Sequence, residues 1–246
     1  MPADRVTYPP LDVLKPVVGD VWIVDSGPLR AFGVPLPVRM TVIRLPGGDL
    51  WVHSPTRLTK DLAQALDGLG RVRHLVAPNL AHWTFAADWQ SRYPDAVTWA
   101  APGLRERAQV KRRGIRLDRD LAQSAPGEWA GEFEQVIVPG AGGFTEVDFF
   151  HVGSRTLVLT DLVVNLEAEK LPMLLRPAAW LAGIVAPNGK APIYLRLIIR
   201  AKREKAAEAA NKLLSWAPER VVFSHGRWFE RDGAVALRRS LHWLVG

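Results

Sequence analysis

The chain reads as a single layered unit of β-strands and α-helices. Three observations carry that reading: short β-rich runs closed by Gly and Pro, amphipathic segments of helical period between them, and no duplication or linker dividing the 246 residues. A chain of this length buries roughly 70–75% of its extended surface on folding, so residues 1–246 are expected to form one domain without covalent staples. There is no Cys, which excludes disulfide frameworks, thiolate metal sites, iron–sulfur ligation and thiol nucleophiles. Any metal must be held by His, Asp or Glu, and only six His are available.

The elements follow in order. Val21–Val24 is β-branched and apolar and reads as a strand. TVIRLPGGDLWVHSP reads as two strands joined at Gly47-Gly48, a pair suited to a tight hairpin. A turn centred there sets Met40 and Thr41 opposite Pro55 and Ser54, with His53 near the hairpin's open end. Lys60 to Leu69 has Leu62, Leu66 and Leu69 at helical spacing and a stop at Gly70, and it leads into the apolar run HLVAPN. A second helix fits Ala81 to Arg92, followed by a short strand in TWAAP. The basic cluster from Arg105 to Arg119 reads as a solvated surface helix broken at Gly114.

β signals return in EQVIVPGAGG, FTEVDFF and HVGSRTLVLTD. A hairpin centred near Val152-Gly153 places His151 at its closed end and Asp161 at its open end, level with residues 144–146. Asp161 and Glu146 then share a neighbourhood that His151 does not reach. Residues 171–199 are Pro-punctuated and apolar, which suits core packing, a lid, an oligomer contact or a surface approaching a membrane. A helix rich in Ala, Lys and Glu follows from Ala201 to Trp216, then a strand in VVFSH and a last helix from Ala234 to Leu244.

Among groups able to carry chemistry, His225 ends a β-branched run and precedes Gly226, which leaves room for the imidazole or for a sharp change of direction. Asp161 follows the apolar run TLVLT, where a carboxylate can ligate a metal, orient a histidine or cap the next segment. In PNLAH, Asn79 and His82 follow another apolar strand, although Asn79 equally suits a helix cap. Glu146 and Asn165 can complete a polar cluster with Asp161, and His53 is a further candidate unless HSP is a plain turn. His74 and His242 sit beside core positions and read as structural.

Taken in order, GDVWIVD, RMTVIRLPGGDLWVHSP, VAPNLAHWTF, TEVDFFHVGSRTLVLTDLVVN and VVFSHG resemble the DUF4336 domain family, a divergent branch similar to the metallo-β-lactamase fold superfamily. The resemblance implies a four-layer αββα sandwich of two mainly mixed β-sheets with the site at one sheet edge. It also implies an HxHxDH segment, but here Pro78 and Leu80 stand where its first two histidines would fall, His82 at about its aspartate, and Trp83 at its last histidine. Asp161 matches the aspartate that can bridge metals, and His225 the histidine of the final element. The middle histidine loop is replaced by VPGAGGFTE, so the usual two-zinc site is not expected.

The resemblance, with these substitutions, leaves a single Zn or Fe ion held by His82, Asp161 and His225, with Glu146 or water as a further ligand. Bound water would act on an ester, lactone, amide or phosphoester in a small anionic or carbonyl-containing substrate, with Asn79 orienting the polarised oxygen. The alternatives are a metal-free, non-catalytic scaffold that binds a small anion or protein partner, and a basic-surface nucleic-acid-binding protein. The net charge of +7 suits anionic partners generally. Nucleic acid is disfavoured because no helix-turn-helix, RNP-like or KH-type motif accompanies the Arg105–Arg119 cluster. The longest charge-free apolar stretch falls short of a spanning helix. The amino terminus lacks the pattern of a secretory signal, and a cytoplasmic protein is expected.

Overall fold

The computed structural model of the protein describes residues 3–31 and 34–246. Seven strands build the first sheet in chain order: β1 (Lys15–Val18), β2 (Val21–Ala31), β3 (Val34–Arg44), β4 (Asp49–His53), β5 (Arg71–Ala77), β6 (Val97–Ala100) and β7 (Arg119–Asp120). The first four pair antiparallel, and β4 to β7 pair parallel. The parallel crossovers carry α1 (Lys60–Leu69), α2 (Ala86–Arg92) and α3 (Ala108–Arg113). α1 opens where the Thr59 hydroxyl accepts from Leu62 N and ends at Gly70, as its spacing predicts.

The second sheet has the order β12-β10-β9-β8, from β8 (Phe133–Pro139), β9 (Thr145–His151), β10 (Thr156–Val158) and β12 (Arg220–Val222). A third, two-stranded piece pairs β11 (Val164–Asn165) in parallel with β13 (His225–Gly226). The remaining helices are α4 (Arg176–Ala182), α5 (Ile193–Arg200), α6 (Arg203–Ser215) and α7 (Gly233–Val245).

The layers follow from alternation along the strands. In β4, Leu50 and Val52 face α1 and α2 and pack with Leu62, Leu66 and Trp89. Trp51 faces the other way, into a core between the sheets with Trp99, Trp129, Phe133, Val147 and Phe149. On the far side of the second sheet, Val138, Phe150 and Leu157 pack against Ala206, Leu213, Leu237 and Leu241 of α6 and α7. The result is the four-layer αββα sandwich, with mixed β-sheets, that the resemblance implies.

Several local expectations are corrected. The β3–β4 turn closes with Leu45 N on Asp49 O and Gly48 N on Leu45 O, with Gly48 at φ +82°. Thr41 therefore faces His53, one residue from the expected register. The helix expected from Ala81 begins only at Ala86, because Asn79 folds the preceding backbone into a tight turn. VVFSH is not one strand: β12 ends at Val222, and His225 belongs to β13. The helix expected from Ala201 starts at Arg203. The β9–β10 register has Thr156 opposite His151, and continuing it brings Asp161 level with Glu146, as the hairpin count predicts. Among the described residues, no helix is long and apolar enough to cross a membrane.

Candidate functional site

The site lies where the ends of β4 and β5 meet the loop after β10. Beyond β5, Val147 N donates to Pro78 O and Asn79 bridges to Glu146, which ties the edges of the two large sheets together. The Asn79 Oδ1 accepts from Ala81 N (2.8 Å) and His82 N (3.0 Å), an Asx turn of the kind its short amide favours. Its Nδ2 donates to Asp161 Oδ2 at 2.8 Å and Thr160 Oγ1 at 3.0 Å. One amide thus sets the backbone of His82 and the carboxylate of Asp161.

His82 Nε2 lies 3.3 Å from Asp161 Oδ2, and His225 Nε2 lies 3.1 Å from Asp161 Oδ1. The far nitrogen of each ring is also engaged. His82 Nδ1 is 2.6 Å from Ser54 Oγ, and His225 Nδ1 is 2.8 Å from the Pro37 carbonyl. A carbonyl only accepts, so His225 Nδ1 carries hydrogen, and in the neutral ring the lone pair is on Nε2, facing Asp161. Ser54 holds φ +55°, a left-handed conformation uncommon for a residue with Cβ and concentrated at functional sites.

His225 is positioned from β3 as well as from β11. The buried Arg39 donates to Phe223 O (3.0 Å) and Gly226 O (2.8 Å), on both sides of His225, and pairs with Asp25 at 2.6 Å. Gly226 adopts φ +96°, and a Cβ there would stand 2.2 Å from Asn165 O. Only glycine lets β13 approach β11 this closely.

Glu146, 1% exposed, is directed at backbone. Its Oε1 accepts from Thr160 N, Asp161 N and Leu162 N at 2.8–3.1 Å, and its Oε2 accepts from Asp161 N at 3.0 Å. This shapes the loop presenting Asp161. One ligand atom from each of His82, Asp161 and His225 lies within 4.8 Å of the others, and Glu146 is not in that group. Two imidazole nitrogens and a carboxylate oxygen, with both far ring nitrogens engaged, form a donor set suited to a borderline divalent ion such as Zn or Fe.

The charges reinforce one another. Burial opposes ionisation of Asp161, but His82 and His225 outweigh it and hold the carboxyl well below its ordinary range. Burial likewise opposes protonation of His82, and Asp161 and Glu146 reverse that, raising its pKa. Asp148, on the same strand as Glu146, is wholly buried with neither oxygen hydrogen-bonded. Burial, then the Glu146 and Asp161 carboxylates, push its pKa well up.

The three groups line a cavity of about 760 Å³, walled by apolar side chains including Val38, Leu80, Phe85, Phe144, Leu195 and Ile198, with Arg107 at its wall. Of the secondary candidates, His53 is not brought to the trio. It is buried, stacked on Trp51 and edge-on to Phe149, with Nε2 unpartnered. Burial, then His82, depress its pKa well below the ordinary histidine value. Asn165 joins three segments, donating to Arg227 O and accepting from Gly189 N. His74 is buried and accepts from the Trp99 indole.

Sequence reasoning missed Ser54, Arg39 and the Pro37 carbonyl. Ser54 beside His53 carried a weak signal, and an Arg inside the apolar strand PVRMTVI was an anomaly that a buried ion pair explains. Nothing in the sequence signals a carbonyl acceptor.

Comparison with known proteins agrees with the fold. The family model described as "Domain of unknown function (DUF4336)" matches residues 19–183. No curated protein matches the sequence. Among solved structures, the DIM-1 metallo-β-lactamase exposed to ceftazidime is similar with a TM-score of 0.63 at 15% identity, covering 94% of this chain and 95% of that one. A metallo-β-lactamase from Hirschia baltica gives 0.61 at 12% identity (94% and 96%), and one from Erythrobacter litoralis 0.57 at 15% (99% and 96%).

Proposed function

We propose that this chain, which belongs to the DUF4336 family, is a hydrolase with one metal ion, held by His82, Asp161 and His225. The observation that carries the reading is the convergence of two imidazole Nε2 atoms on one carboxylate, with each Nδ1 engaged elsewhere, at the wall of a cavity. When bound, such an ion supplies Lewis acidity and lowers the pKa of water.

The chain's own residues do the rest. Pro37 O holds the His225 tautomer, and Ser54 Oγ orients the ring of His82. Asn79 uses both ends of its amide on His82 backbone and Asp161, so we assign it to positioning Asp161 and His82. Glu146 fixes the loop that presents Asp161 and is assigned the same kind of role. The apolar wall excludes water and takes the uncharged part of a substrate. The bond attacked is that of an ester, lactone, amide or phosphoester.

The same Nε2–Oδ distances also suit hydrogen-bonded ion pairs without metal, the arrangement of a scaffold that only binds. Elemental analysis separates the two. Protein purified without chelator is expected to hold one equivalent of zinc or iron, reduced in His225→Ala and His82→Ala. Protein that carries no ion and rebinds none after dialysis would overturn the hydrolase reading in favour of the scaffold.

A further inference from the structure

Outside the trio, the most unusual feature is the surface of residues 171–203. Of the large apolar side chains exposed among the described residues, seven lie between Met173 and Leu197: Met173, Leu174, Trp180, Leu181, Ile193, Tyr194 and Leu197. Leu174 is 93% exposed and Trp180 74%. A folded domain rarely leaves so much large apolar surface together without a use for it. α4 and α5 present it as one unit, because Arg196 of α5 donates to Ala182 O of α4. The turns of α5 divide its faces: Leu195 and Ile199 are buried, Tyr194, Leu195 and Ile198 line the cavity with Tyr194 half exposed at it, and Ile193 and Leu197 point outward.

The charge of the same stretch is one-sided. Residues 171–203 contain Arg176, Lys190, Arg196, Arg200, Lys202 and Arg203 and no acidic residue, so they hold six of the seven net positive charges. None of the six makes an ion pair among the described residues, and Arg200, Lys202 and Arg203 are exposed.

We infer that the α4–α5 face docks on an anionic lipid surface, with Leu174, Trp180 and Leu181 entering the interface and the basic side chains at the headgroups. Exposed leucine and tryptophan beside lysine and arginine that no carboxylate neutralises is the composition that an anionic bilayer rewards twice, through apolar burial and through Coulomb attraction. A second copy of the chain fits poorly, because a two-fold contact would set this cationic face against itself. A nucleic acid would use the charge but leave the apolar side chains in water. Since α5 also walls the cavity, docking brings the cavity beside the bilayer surface. The inference stands without the metal, since no residue of the trio takes part.

Flotation with vesicles tests it, using the full chain at low salt with phosphatidylcholine alone and with phosphatidylcholine mixed with phosphatidylglycerol. Co-flotation is expected with the mixed vesicles only, weakening as salt is raised. Lys202→Gln/Arg203→Gln should reduce partitioning by roughly tenfold or more, at about fivefold per charge near the surface. Leu174→Ser/Trp180→Ser should bring it to background while leaving the urea midpoint unchanged. Absence of wild-type flotation at low salt, or flotation unaltered by both double variants, overturns the inference. So does a stable dimer in sedimentation that Leu174→Ser/Trp180→Ser disperses, which would assign the face to self-association.

Discussion

Truncating Glu146 is the most demanding test of how the site is built. In Glu146→Ala the carboxylate that accepts from Thr160 N, Asp161 N and Leu162 N disappears, and three backbone donors lose their acceptor. A buried donor left unsatisfied costs about 1–3 kcal/mol. The three share one acceptor and lie close to a cavity from which water can enter, so their costs do not add fully. We expect a loss of about 3–5 kcal/mol, a large part of the roughly 5–15 kcal/mol that holds a typical domain folded. With a urea m-value near 3 kcal/mol/M, the upper end for small proteins, the midpoint should fall by about 1–1.7 M.

Urea unfolding of chelated protein, followed by Trp fluorescence and by far-UV circular dichroism, measures this without contribution from metal. Glu146→Gln should fall between wild type and Ala, since it keeps one acceptor oxygen but turns an amide donor towards other donors. A midpoint shift below about 0.3 M for Glu146→Ala would refute the anchoring argument. A Gln variant of wild-type stability that has lost metal binding would refute it differently, by making Glu146 a direct ligand.

Three further outcomes are expected. Asp148→Asn, two residues along the same strand, should have the opposite sign. The raised pKa of Asp148 means that stability declines as pH rises above 3.8 towards the folded-state value. The variant should therefore gain about 1–3 kcal/mol at pH 7 and little near pH 4, and a loss at pH 7 would show the carboxylate to be paired. For His82 the raised pKa gives stabilisation that is full below 6.5 and lost as pH rises through the folded-state value, while the depressed Asp161 loses its share as pH falls below 3.8. In chelated protein His82→Gln should cost about 1.5–3 kcal/mol near pH 5 and less at pH 9, and a cost growing with pH in urea titrations would contradict the assignment. Gly226→Ala should lose more than about 3 kcal/mol, from a left-handed φ and a 2.2 Å clash with Asn165 O; thermal melting within a degree or two of wild type would contradict the close β11–β13 contact.

Much of the fold is legible in the sequence because it rests on local rules. Gly70 ends α1 where the leucine spacing runs out, and Gly114, expected to break the basic helix, ends α3 in a left-handed cap. The β9–β10 hairpin count brings Asp161 level with Glu146 because an antiparallel register propagates rigidly from its turn. A single residue in the centring of the β3–β4 turn changes the partner of Thr41 from Ser54 to His53, which shows how sensitive the same argument is to turn geometry. The helix expected from Ala81 starts late because the Asn79 side chain, which also suits a cap, instead closes a tight turn around His82.

What the sequence by itself determined is the chemistry available: no thiols, six histidines, and His82, Asp161 and His225 each placed just beyond an apolar run. What those groups do to one another was decided by tertiary structure. His82 and His225 are 143 positions apart, and their meeting on Asp161 depends on β13 leaving the β12 strand to pair with β11 under the hold of Arg39 and Pro37 O. Glu146 shows the limit most clearly. Its place beside Asp161 follows from strand register, but whether its carboxylate faces an ion or the backbone of residues 160–162 depends on which unpaired donors the folded loop leaves beside it, and those exist only once the loop has closed.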